Sequence, residues 1–313
     1  MSTLTMTALV EEYLTFRRKL GFTLKSEGRE LRSFARYADQ TGHDGGITAE
    51  LAVRWAQLPA TADRIYWARR LGIITRFAKH LLASDPSTEV PDPGFLGSSH
   101  RRREPHIYSG AELTELLRAA ARLWPSSGLR PKTYTALFGL LASTGLRIAE
   151  ALRLTRDEVD LDAGVLTVSE TKFHKSRLVP LHPTTTTALR CYAEHRDRFC
   201  PIPRASTFFL SDAGIPVKYR RVNDAIVKLR RRLGSVADDG RRLPTIHDLR
   251  HTFACRRLLG WYEEGADVNL KMPALSTYLG HVRVSDTYWY LSAIPELMAR
   301  AAARFEKAAG GGQ

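Results

Sequence analysis

The sequence predicts a mainly α-helical chain of two domains, the second carrying a small antiparallel β-sheet. Three observations predict it. Apolar residues recur at three- and four-residue spacing along most of the chain, the period of an amphipathic helix. After "DEVDLDAG" that period gives way to alternation in "VLTVS" and "SRLVPL", the pattern of half-buried strands. A Pro-, Ser- and Gly-rich stretch, "SDPSTEVPDPGFLGSSHRRREPH", separates two apolar parts. With 313 residues, 43% hydrophobic and 26% charged, the chain has material for about two globular domains, each with its own core.

Residues 1–88 read as a helical domain. In "TALVEEYLTFRRKLGF", Leu9, Val10, Tyr13, Leu14 and Leu20 share a face, and Gly21 offers a stop. "EGRELRSFARYADQTG" repeats the pattern with Leu31, Phe34, Ala35 and Ala38. Thr48 is placed to cap "AELAVRWAQL" before Pro59 ends it. In "DRIYWARRLGIITRFAKHLLA", Ile65, Ala68, Leu71, Phe77 and Leu81 point inward, leaving Arg64, Arg69, Arg70, Arg76 and Lys79 for the surface. Residues 89–106, with Arg101, Arg102 and Arg103, read as a basic linker.

Residues 107–313 form the second domain. Ser109 caps a helix through "GAELTELLRAAARLW", and "YTALFGLLASTGLRIAEALRL" is an apolar helical region broken at Gly145. The two strand segments, separated by the "KFHK" turn, form a small antiparallel sheet. Helices follow, among them the very basic "KYRRVNDAIVKLRRRLG".

Composition narrows the function. Lys+Arg outnumber Asp+Glu 47 to 33, a formal net charge of +14, so a polyanion is the first partner to consider: neutralised phosphates release counterions and drive association. Three scattered cysteines, Cys191, Cys200 and Cys255, suit neither a disulfide framework nor a zinc cluster. No apolar run reaches the ~20 residues of a membrane helix, and "MSTLTMTALVEEYL" lacks a signal peptide's pattern, so the expected location is cytoplasmic, at the nucleoid.

The chemistry-bearing residues come as short motifs. In "TIHDLRHTF", His247 and His251 stand four apart, the ligand spacing of zinc metalloproteases. Asp248 replaces the Glu that chemistry needs, and Arg250 between the imidazoles disfavours a cation. His247 with Arg250 reads better as an anion-handling pair. Arg147 follows a glycine turn in "STGLRIAE", where pairing with Glu150 is the plain alternative. His281 in "LGH" could equally cap a helix, and Tyr288 and Tyr290 in "DTYWYLS" are indistinguishable by composition.

In series, these motifs resemble the tyrosine recombinase (phage integrase) family. "TGLRIAEAL" is similar to its first arginine box, "TKFHKSRLVPL" to its β-hairpin lysine segment, and "HDLRHTFA" to its His-x-x-Arg box. "LGH" with Tyr290 nine residues beyond His281 is similar to its last two catalytic positions. The resemblance covers about residues 107–300 by motif, and residues 1–88 more loosely as the family's core-binding domain. It implies a two-domain DNA clamp and a catalytic set of Arg147, Lys172, His247, Arg250, His281 and the nucleophile Tyr290. Lys172 is preferred over Lys175 from alignment on "SRLVPL".

What the resemblance implies is chemically coherent. Fixed cations stabilise the charge that builds on a phosphodiester under in-line attack. Arginine forks bind two oxygens and stay charged. A tyrosine hydroxyl, with an ordinary pKa of about 10, needs such surroundings and a base, for which His247 is the candidate. Lys172 is the candidate acid for the leaving 5′ oxygen. No cofactor or metal enters this scheme. The implied partners are double-stranded DNA recombination sites, with a homo-tetramer on paired sites and other element-encoded recombinases beside it. The flavour of "VSDTYWYLSAIPELM" is most like transposon-encoded members. A type IB-like topoisomerase shares the chemistry, and a catalytically silent DNA-binding accessory protein would share the fold.

Overall fold

Helix caps set many of the element boundaries in the computed structural model, which describes residues 5–100, 104–169, 176–233 and 243–292. The chain divides into two compact units, Met1–Arg103 and Glu104–Gln313.

Among its described residues the first unit holds four helices: α1 (Met6–Lys19), α2 (Lys25–Gln40), α3 (Ala49–Gln57) and α4 (Arg64–Leu81). Thr5, Thr48 and Asp63 cap α1, α3 and α4, each side-chain oxygen accepting an otherwise orphaned N–H of the first turn. Val10, Leu14, Leu31, Phe34, Trp55, Leu71 and Phe77 are fully or almost fully buried in one core. Leu20, expected inward, is 57% exposed, because α1 ends one residue before it and the chain turns away at Gly21. Arg70, expected on the surface, is buried. Seven residues before Phe77, it falls on the inward stripe of α4, and its guanidinium lies 3.8 Å from the centroid of the Trp55 ring. Part of the stretch read as linker lies against this unit: Glu89 N–H donates to the Ile47 carbonyl at 2.7 Å, and Leu96 is buried in the core. Arg101, Arg102 and Arg103 lie outside the described residues.

The second unit is mostly helical with one small sheet. It runs α5 (Gly110–Ala121), α6 (Arg130–Thr144), α7 (Ile148–Arg153), β1 (Val159–Asp160), β2 (Val165–Val168), β3 (Arg177–Pro180) and α8 (Pro183–Phe199). Then follow α9 (Tyr219–Arg232), α10 (Asp248–Glu263), α11 (Val268–Leu279) and α12 (Ser285–Ser292). Ser109 and Glu112 form a reciprocal capping box at α5. The sheet is antiparallel in the order β1-β2-β3, with Leu166 opposite Val179 and Val168 opposite Arg177. Leu166, Val168 and Val179 face the main core with Leu137, Phe138, Phe209 and Leu249, and the basic helix α9 adds Val222, Ile226 and Leu229. Lys218, Arg220, Arg221, Lys228, Arg231 and Arg232 stay exposed along and beside α9. A second cluster, Cys255, Leu258, Met272, Leu275, Leu279 and Tyr290, seats α10, α11 and α12 together. Among the described residues, no helix is long and apolar enough to cross a membrane.

Candidate active site

The site is built around helix ends. Helix α6 stops at Gly145, which takes the left-handed conformation, φ +64°. A Cβ there would come within 2.6 Å of the Phe253 ring and 2.9 Å of Leu279, so both backbone and packing demand glycine. Two residues on, Arg147 opens α7. Its Nη1 donates to Glu150 Oε1 at 2.9 Å, while Glu150 Oε2 accepts the Arg147 backbone N–H at 3.1 Å. The pairing with Glu150 therefore exists, and it orients the guanidinium rather than using it up. Nη2 donates to the Gly280 carbonyl at 2.9 Å, and the side chain remains 36% exposed.

Helix α11 ends at Gly280, also left-handed at φ +69°. A helix leaves its last carbonyls without intrahelical partners and its C-terminus partially negative. Here three successive carbonyls each hold one arginine. Tyr278 O accepts Arg177 Nε at 2.8 Å, Leu279 O accepts Arg250 Nη2 at 2.8 Å, and Gly280 O accepts Arg147 Nη2 at 2.9 Å. Arg177 comes from β3, Arg250 from α10 and Arg147 from the start of α7, so distant segments converge on one turn of backbone. A Cβ on Gly280 would lie 2.6 Å from Arg177 Nη1, which again requires glycine.

Arg250 is 2% exposed and also donates through Nη1 to the Gly145 carbonyl at 2.7 Å. Burial, and then the charge of Arg147, push its pKa down to about 10, opposed by Tyr290 and Glu150. Among the described residues no carboxylate forms an ion pair with it. Glu150 instead serves Arg147 and Arg177, whose Nη2 donates to Oε2 at 2.9 Å. Burial pushes the Glu150 carboxyl up, but the Arg177 and Arg147 contacts prevail and hold it below its ordinary value.

His281 follows Gly280 and is partly buried. Its Nδ1 lies 2.6 Å from the hydroxyl oxygen of Thr287, which is fully buried. Burial, then Arg250, Arg147, Arg177 and His251, push the imidazole down to about 3. Tyr290 is 2% exposed, with its ring stacked at 6.2 Å from His281 and edge-on at 5.5 Å to His251. Burial raises its hydroxyl pKa while Arg250 works against that rise. Tyr288, two residues away and so about 200° around a helix, is 40% exposed and its hydroxyl donates to Asn269 Oδ1 at 3.5 Å. His247 is exposed at the start of α10, with its ring 4.6 Å from that of His251.

Arg147, Arg250, His281 and Tyr290 are thus brought together, and His247 stands one ring beyond, through His251. Lys172 and Lys175 lie outside the described residues, as does the segment "IPELMARAAARFEKAA". Sequence reasoning missed Arg177, Thr287 and the contact of His251 with Tyr290. Arg177 did leave a signal: two residues before buried Val179, it sits on the inward register of β3. Thr287 left none. Among the described residues no group of three or more His, Cys, Asp or Glu could hold a metal ion. What the arrangement offers is a cluster of three guanidinium groups beside a phenol, suited to gathering an oxyanion next to a nucleophile.

Comparison with known proteins agrees on a family. Residues 109–296 match the family described as the phage integrase family. A Sinorhizobium fredii protein named as an integrase/recombinase, y4rB, is 42% identical over 304 residues, covering 95% of this chain and 96% of its own. The tyrosine recombinase XerD of Staphylococcus haemolyticus is 28% identical over 91% of this chain and 94% of its own. Among solved structures, the Tn1549 transposon integrase in complex with transposon right end DNA matches with a TM-score of 0.72 at 16% identity, covering 98% of this chain and all of that one. XerH bound to its difH substrate after cleavage matches at 0.68 and 16% identity, over 95% of this chain and 84% of that one.

Proposed function

The chain belongs to the phage integrase family of site-specific DNA recombinases, and we propose that it cleaves and rejoins DNA strands through a 3′-phosphotyrosyl bond to Tyr290. The observation that carries this reading is the set of three arginines fixed on three successive carbonyls next to that one tyrosine. Arg147 and Arg250 receive the non-bridging oxygens of the scissile phosphate, and His281 donates a further hydrogen bond. His247 takes the Tyr290 proton. The phenolate oxygen bonds to phosphorus, the bond from phosphorus to the 5′ oxygen breaks, and Lys172 gives that oxygen a proton. The phosphotyrosyl bond conserves the energy of the phosphodiester, so attack by a second 5′-hydroxyl reverses the step without ATP or metal.

Residues 1–88 act as the core-binding domain, 89–106 as the linker and 107–313 as the catalytic domain, together clamping duplex DNA. The basic face of α9 and the formal net charge of +14 favour such a partner. A homo-tetramer on paired sites, working with other recombinases of a mobile element in the cytoplasm, is the setting we assign. A duplex carrying a nick near the cleavage point, which traps the covalent intermediate, tests the chemistry. With EDTA present, wild type and Tyr288→Phe form a DNA-linked protein band, and Tyr290→Phe binds the duplex but forms none. A DNA-linked peptide modified at Tyr288, or cleavage that requires Mg²⁺, sinks the reading.

A further inference from the structure

Thr287 lies in the first turn of α12, and its hydroxyl takes a different course from that of several other helical threonines in the second unit. Thr114, Thr135 and Thr187 each donate to the carbonyl four residues back, at 2.9, 2.8 and 3.0 Å. The hydroxyl of Thr287 instead meets His281 Nδ1 at 2.6 Å. A fully buried hydroxyl must donate its proton somewhere. Among the described residues, Nδ1 is the acceptor it finds. Nδ1 is then an acceptor itself and carries no hydrogen, which leaves the proton of a neutral ring to Nε2.

The surroundings keep the ring neutral. Arg147 at the start of α7, Arg177 on β3, and Arg250 and His251 on α10 all oppose a second proton, as does burial, and Tyr290 of α12 covers the ring from one side. A neutral imidazole has a single N–H to offer, so the choice of nitrogen decides whether it can serve as a donor through the other edge.

Resting on the recombinase reading above, we propose that Thr287 is a positioning residue that holds His281 in the Nε2–H tautomer, so that the ring meets a phosphoryl oxygen as a neutral donor. Thr287 touches neither the DNA nor the phosphate. Its contribution passes through His281.

Two substitutions and one spectrum test this. In the full-length protein labelled with ¹⁵N-histidine, the His281 signals are identified by their loss in His281→Asn. Wild type and Thr287→Ser give the Nε2–H pattern, with Nδ1 at the shift of an unprotonated nitrogen. Thr287→Val, which keeps the shape and removes the hydroxyl, loses that pattern and gives mixed tautomers. On the nicked duplex Thr287→Val forms adduct about 10- to 100-fold more slowly at unchanged DNA affinity, less than the ~10²–10³ of a donor that itself meets the developing charge, and Thr287→Ser recovers most of the rate. A wild-type His281 protonated on Nδ1 overturns the proposal even if Thr287→Val fails to fold. So does a Thr287→Val protein with the wild-type spectrum or the wild-type rate. If wild type forms no adduct at all, the recombinase reading fails, and the spectrum still judges the tautomer.

Discussion

Arg70 in the first unit and Arg250 in the second are both buried, 5% and 2% exposed, and they are held in opposite ways. Arg70 lies flat on Trp55, within 5.7 Å of the Tyr66 ring, with Nε 3.5 Å from a carboxylate oxygen of Glu30. Its charge is met by an aromatic face and an anion, the usual solution for an ion taken out of water. Arg250 is met by two carbonyl dipoles, Gly145 and Leu279, and faces the like charge of Arg147. Carbonyls fix a guanidinium in place without cancelling its charge. The first arrangement closes a structure. The second leaves a positive field in place, the kind of arrangement by which sites that stabilise a developing charge are made.

The same substitution at both positions sharpens this contrast. Arg250→Met is expected to slow adduct formation on the nicked duplex by about 10²–10³ while DNA affinity in a gel-shift titration stays near wild type. Arg70→Met removes an equal charge but leaves a side chain able to cover Trp55. It should shift unfolding stability by no more than about 2 kcal/mol, read from urea midpoints, with the adduct rate unchanged. Equal kinetic losses at the two sites would erase the distinction.

A further expectation concerns pH. His281 in the folded protein titrates near 3, below the ordinary 6.5, because burial and the uncancelled arginines disfavour its charged form. Between those values the unfolded chain binds a proton that the folded one refuses, so the stability this group contributes is complete above about pH 6.5 and falls as pH drops toward 3. His281→Asn should therefore lose stability less steeply than wild type in urea unfolding between pH 7 and 4. Parallel curves would mean that the arginine cluster does not act on the ring as described.

Local chemistry made much of the fold legible. Thr48 and Ser109 announce helix starts because an oxygen before an apolar stripe has orphan N–H groups to satisfy, and Gly145 announces a stop because few residues other than glycine adopt that turn cheaply. Strand alternation located the sheet for the same reason of periodicity. Arg70 was misplaced because residue type outweighed helical phase: an arginine was assigned to water although its position matched Phe77. In the site, Arg147, Arg250, His281 and Tyr290 were reachable through ordered motifs, since their spacing survives in one dimension. The partners that orient them were not. Arg177 reaches Glu150 across 27 residues and Tyr278 across 101, and such contacts exist only after folding.

The end of α11 carries a consequence for anyone comparing or redesigning such chains. What seats the three arginines there is main chain, and no substitution deletes a carbonyl. An alanine scan through Tyr278 and Leu279 would remove their side chains and leave those two acceptors in place. Truncating buried Leu279 would cost core packing, but for the seating of the arginines it is residue 280 that would register, because a side chain there collides with Arg177. To transplant this cation cradle into another scaffold, one would copy the path of a helix terminus and a glycine rather than a list of polar residues. A catalogue of side chains would pass over it.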